Sequence, residues 1–208
     1  MARINRGILG GFKGKVANVV GSSWKGIETM RARPISVLNP RTTAQVNNRD
    51  RFSSVSLLAA SMLSSIVKPL NDRFAQKQSG YNLFCSRNKD VFNSSGAFVG
   101  ASLILSSGKL GDDSITSATK TGANQVTVAW NPNPVGSYQQ TTDLMYIAII
   151  DVNGNLVGSS SAFAIRDDND VDIDCGDHIV VATDRAYLAS LRADGTMCSN
   201  SATALVTV

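Results

Sequence analysis

The stretch LMYIAIIDVNGNLVGSS, residues 144–160, decides the fold. Two apolar runs, 144–152 and 156–160, flank Asn153-Gly154. An Asn-Gly pair between apolar runs is a strong short-range hairpin signal. Outward from this hairpin, residues 95–208 are rich in Gly, Ser, Thr and Asn, and apolar residues alternate in further short runs. Strands are expected at 101–105, 114–119, 125–130, 171–175, 179–182, 186–193 and 202–208, with turns at Gly176-Asp177 and Asp194-Gly195 and a loop at Asn131-Pro132-Asn133-Pro134. Many short strands with frequent turns predict an antiparallel β-sandwich of immunoglobulin or fibronectin type. Trp130 and Tyr187 are its expected core aromatics.

Before residue 95 the pattern changes. From Thr43 to about Val67 the apolar positions Val55, Leu58, Ala59, Met62 and Ile66 recur at helical spacing. Thr42 or Thr43 is the expected cap, and Pro69 should kink or end the helix. A continuation through Leu70 and Phe74 is expected, then a break at Ser79-Gly80. A short second helix should run from Tyr81 to about Asp90. Residues 1–40 form a basic arm in which Gly7, Gly10, Gly11, Gly14, Gly21 and Gly26 fall close together. Two strand-like pieces, 15–20 and 24–31, with Gly21-Ser22-Ser23 as the turn, suggest a β-hairpin. An arm so rich in glycine is expected to order by packing on something else. The fold class expected is therefore α+β: an arm at 1–40, a helical region at 41–94 and an immunoglobulin-like sandwich at 95–208.

The net charge of +4 hides an asymmetry. Residues 1–94 hold fifteen basic and four acidic side chains, a net +11, whereas residues 95–208 hold five and twelve, a net −7. Opposite halves of this kind attract each other within one chain or between copies. The acids gather at Asp167, Asp168, Asp170, Asp172, Asp174 and Asp177, and from 170 to 174 they alternate with Val171, Ile173 and Cys175. A strand there puts the acids on one face and the apolar residues on the other.

Catalytic chemistry finds little support. His178 is the only histidine and Glu28 the only glutamate, and no nucleophile elbow is present. The acidic run lacks the glycine and closing glutamate of a calcium loop. Gly14-Lys15 fails the phosphate-loop pattern at Leu9 and Val16. Cys85, Cys175 and Cys198 have no paired spacing, so buried free thiols are expected rather than a disulfide framework or metal knuckle. No enzymatic role, cofactor or metal is expected. No secretory signal is readable, and the apolar stretches are too short to span a bilayer.

MARINRGILGGFKGKVANVVGSSWKGIETMRARP, NPRTTAQVNNRDRF, SGYNLF, LILSSGKLG, VTVAWNPN and the strand start at Thr142-Asp143-Leu144 together resemble a Bacteroidota family with a domain of unknown function. The resemblance covers nearly the whole chain and is most specific over the first fifty residues. The loop around Lys109 departs from it, with a serine-rich stretch replacing a more basic one. The resemblance implies a setting in bacteria and in their bacteriophages and prophages, and no functional residues.

With its Gly-rich arm and no catalytic set, the chain is expected, on what this resemblance implies, to be a structural protein of a bacteriophage virion, made in the bacterial cytoplasm, with a ring or hub of the tail or neck as its place. Its expected partners are copies of itself and other virion proteins. Arg3, Arg6, Lys13, Lys15 and Lys25 of one copy's arm would lie on Asp168, Asp170, Asp172 and Asp174 of the next. Ile8, Leu9, Phe12 and Trp24 would supply apolar anchors. Two alternatives stand beside this: a bacterial immunoglobulin-like module binding a protein or glycan, and a nucleic-acid-binding protein using the basic half.

Overall fold

The computed structural model of the chain describes residues 3–4, 11–36, 39–134 and 137–208, without the side chains of 3, 4 and 161–163. The arm carries β1 (Arg3–Ile4), β2 (Phe12–Val16), β3 (Val19–Trp24) and β4 (Ile27–Ala32), paired in that order. The helical part comprises α1 (Thr43–Ser61), a π-helical turn at Leu63–Val67, α2 (Lys68–Asn71), a 3-10 turn at Asp72–Phe74 and α3 (Gly80–Arg87). The remainder holds β5 (Ile115–Gly122), β6 (Gln125–Trp130), β7 (Leu144–Ile150), β8 (Leu156–Ile165), β9 (Asp170–Asp174), β10 (Arg185–Leu191) and β11 (Ala202–Leu205).

These seven strands form two antiparallel sheets, ordered β5-β6-β9 and β11-β10-β7-β8. The fold is α+β with an immunoglobulin-like sandwich, and this three-plus-four strand division is the fibronectin-like arrangement. Parallel bridges from Thr119 to Thr207 and from Asp112 to Asn200 tie the first strand's side to the last.

The two central strands of the larger sheet are buried on both faces. In β7, Met145, Ile147 and Ile149 join the core between the sheets, while Tyr146, Ala148 and Ile150 join a second core under the helices. In β10, Ala186 and Leu188 face the first core, and Tyr187, Ala189 and Leu191 the second. A strand buried on both sides needs apolar residues at every position, which is why residues 144–150 read as one unbroken run. Val55, Leu58, Ala59, Met62, Ile66, Val67, Leu70 and Phe84 supply the helical side of the second core. Each of these side chains larger than alanine contributes roughly 1.5–3 kcal/mol. The protein is therefore layered: helices, four-stranded sheet, three-stranded sheet. Tyr187 lies in the helical core rather than between the sheets, where Trp130 sits.

Several expected elements differ. The long helix bends by 73° between Ser61 and Leu63, ahead of Pro69. Met62 leaves helical geometry (φ −105°, ψ 17°), and the next turn closes with the Lys68 N–H on Leu63 O, one residue wider than an α-turn. Pro69 follows at the second position of α2, where no donor is required. The arm's turns fall at Ala17-Asn18 and Lys25-Gly26, not at Gly21-Ser22-Ser23, which lies inside β3. Lys25 (φ 46°) and Gly26 (φ 81°) are both left-handed, as a two-residue turn between twisted strands requires.

The expected strand at 101–105 is instead a 3-10 turn at Gly100–Ser102 followed by extended chain. The side-chain amide of Asn88 takes the place of a neighbouring strand there: its Nδ2 donates to Ile104 O (2.8 Å) and its Oδ1 accepts from Ile104 N (2.8 Å). No strand forms at 179–182 either. The Val180 N–H goes to Ala123 O, and the Val181 N–H to the Asp184 carboxylate.

Because helices and sandwich share the sheet of β7 and β10, they should unfold together. Ile66→Ala, at a fully buried position, is expected to cost about 2–5 kcal/mol in urea unfolding, with helical and Trp130 signals lost in one transition. Two separate transitions would contradict the shared core.

Candidate functional site

Two surfaces match what the sequence singled out. The first is the outer face of the three-stranded sheet. Pairing aligns Ser117–Ala129–Asp170 and Thr119–Thr127–Asp172 across the strands, with Gln125 opposite Asp174. Asp170, Asp172 and Asp174 are exposed, while Ile173 is buried and Val171 half-buried. The Thr127 hydroxyl reaches the Asp172 carboxylate. Lys120 is on the opposite alternation and donates to Val180 O (2.8 Å). The face is thus built mostly from small or polar side chains and carries three carboxylates with no base among its strand residues. Asp168 is exposed beside it, with its Oδ2 accepting the Ile165 N–H at 2.7 Å.

The second surface is the arm sheet. Among its described side chains and glycines, Gly21 is the one that is buried. Gly14 takes a left-handed φ of 110° within β2, and Phe12 lies over Gly21: a Cβ on Gly21 would come within 2.1 Å of Phe12 O and 2.8 Å of its ring. Phe12 covers only this point: on the same face Met30 is 69% exposed and Val16 and Glu28 are exposed as well. The opposite face is open as well and carries the bases. Lys15–Val20–Arg31 form one cross-strand row, Ser22 and Thr29 the next (hydroxyls 2.7 Å apart), and Trp24 with Ile27 the last. Trp24 is 61% exposed. Lys13 and Lys25 are also exposed, and Lys25 Nζ donates to Gln78 O on the helical layer. Arg31 and Ile27 were not singled out in the sequence, because their role appears only once the turn is placed at Lys25-Gly26. Arg6, Ile8 and Leu9 lie outside the described residues, as does the Arg3 side chain. The structure does not bring the arm's bases together with the acidic strand within one chain.

The chain's other ionisable clusters serve the fold. Arg166, 3% exposed, bonds Asp113 Oδ1 (2.7 Å), Asp143 Oδ2 (3.4 Å) and Ser190 Oγ (3.1 Å). Its carbonyl accepts the Trp130 indole N–H at 2.9 Å. This ties the loops at one end of the sandwich to its core aromatic. No spacing rule links residues 113, 143 and 166, so the cluster was not legible in the sequence. His178, on the loop between β9 and β10, has its Nε2 2.8 Å from the buried Asp184 carboxylate. In the β7–β8 turn, burial raises the Asp151 pKa, but donors from Asn155 and Asn153 outweigh it and hold the group below its ordinary value. Its contribution to stability is therefore full above the unfolded-state carboxylate pKa and is lost as pH falls through the lowered folded value.

All three cysteines are free and buried. Burial drives the Cys175 thiol up to about 11, with Asp184 and Asp174 adding to the effect. Among the described residues, no group of three or more His, Cys, Asp or Glu is placed to hold a metal ion. No single described helix is long and apolar enough to cross a membrane.

Fold and surfaces together define an α+β protein with an immunoglobulin-like sandwich, a helical layer and a basic β-arm. The chain belongs to the family of unknown function DUF6266, whose model matches residues 11–204. No curated protein matches it. Among solved structures, "Biofilm associated protein - BSP domain" is similar at 20% identity and a TM-score of 0.28. That match covers 48% of this chain and 15% of the other, too loose a likeness to carry weight.

Two outcomes check this assignment of roles. Arg166→Met should cost about 3–5 kcal/mol in chemical unfolding by stranding two buried carboxylates; a neutral result would contradict its structural role. The three thiols should resist a thiolate-specific reagent in the native state and react together on unfolding. Rapid native labelling of one would mark it as a reactive group.

Proposed function

We propose that this protein is a non-catalytic structural subunit of a bacteriophage particle, in a ring or hub of the tail or neck, joined to neighbouring copies through its arm. The observation that carries the reading is the basic face of the arm sheet. Lys15, Arg31, Trp24 and Ile27 share it and face solvent. Tryptophan and arginine are favoured at the centre of binding surfaces. The first half of α1 supports the same reading: residues 43–50 are nearly all exposed, so the helix that carries the arm runs out beyond the body. The resemblance of the first fifty residues to proteins of Bacteroidota and their phages supports the virion setting.

A second reading, a module binding a protein or glycan, is favoured by one feature. A cleft of about 490 Å³ lies between α1 and the β7–β8 turn, lined by Leu57, Phe92, Leu156, Asn153 and Asn155 among others. Such a module would be a stable monomer.

Light scattering on the full chain and on a chain lacking residues 1–33 separates the two. Assembly predicts an oligomer that loosens with salt and is abolished by the deletion. An oligomer indifferent to the deletion, or a monomer at every salt concentration, would sink the arm-mediated reading.

A further inference from the structure

We propose that the acceptor for the arm is the outer face of the three-stranded sheet of a second copy, met face to face by the arm's basic side. This rests on the assembly reading above and names the surface that completes it. Charge complementarity commits the occupant. The acceptor face presents Asp170, Asp172 and Asp174 in one line with no base among its strand residues. The arm's basic face presents Lys15 and Arg31 in one row, while its one acid, Glu28, lies on the opposite face beside Gly11.

Position in the fold requires a second copy. The arm meets its own body on the helical layer, where Lys25 bonds Gln78 O. The acidic face is on the far side of both sheets. Two layer spacings, each on the order of 10 Å, separate them. A basic pole and an acidic pole on opposite sides of one molecule join head to tail, and such heterologous contacts close into rings or continue as filaments.

Side-chain size favours stacking of sheet on sheet. The acceptor's Ala129, Thr127 and Gln125 leave no bulky group to hold the arm away. Strand-to-strand addition at the edge of β9 is disfavoured, because β8 runs against that edge. Gly158 there is so close that a Cβ would lie 3.1 Å from Asp174 O.

The experiment uses full-length chains. Lys15→Glu with Arg31→Glu makes one variant, and Asp170→Lys with Asp172→Lys the other. Every substituted side chain is exposed, so both variants should keep the wild-type thermal transition. Each alone should be dissociated under conditions where wild type assembles. An equimolar mixture should regain the wild-type mass, since each arm then meets a face of opposite charge. Assembly of the aspartate variant by itself would overturn the acceptor face while leaving the arm reading intact, provided deletion of residues 1–33 still dissociates the chain. A mixture that stays dissociated would overturn it as well. Wild type that is monomeric throughout would overturn both readings. Loss of affinity for a random-sequence DNA duplex in the arm variant, with self-association unchanged, would assign the arm to nucleic acid instead.

Discussion

The structure depends on one sheet being buried on both sides. β7 and β10 bury alternate residues against the second sheet and the intervening ones against the helices. This double burial is expensive in sequence, since it leaves no polar position along residues 145–150. It also fixes the molecule's polarity. The helices occupy one side of the larger sheet, so the broad sheet face left to water among the described residues of the sandwich is that of the three-stranded sheet. The acids lie on that face, and the arm is attached on the opposite side.

The arm is organised by a different constraint. Its glycines do not simply loosen the chain. Gly14 takes a left-handed φ within β2 and Gly21 receives Phe12, so the arm packs an aromatic ring on its own backbone while both of its faces keep exposed residues. Were Gly21 any other residue, its side chain would strike the Phe12 carbonyl. A pre-formed arm loses less conformational freedom on binding than an unstructured tail would.

The sandwich was legible because its signals are local. The Asn153-Gly154 hairpin, the strand at 125–130 and the alternation from Asp170 to Asp174 follow from turn chemistry and period-two patterning. The failures have non-local causes. Residues 101–105 look like a strand, and their backbone is satisfied by Asn88 and Ser201 side chains instead of a ladder. The bend at Met62 comes from a widened turn that leaves no mark in composition, whereas Pro69 left a mark and caused no break of its own. Of the candidate surface, the acidic row was readable from spacing. The arm's basic face was not, because Arg31 and Ile27 join Lys15 and Trp24 only through a register set by turns at Ala17 and Lys25.

Amide hydrogen exchange on the full-length chain, at dilute and at assembling concentrations, tests most directly whether the arm and the acidic sheet meet. The account predicts that protection rises together in residues 27–32 and in β6 and β9, and that high salt reverses it. Protection confined to the helices, or no change in either segment while the mass increases, would contradict it.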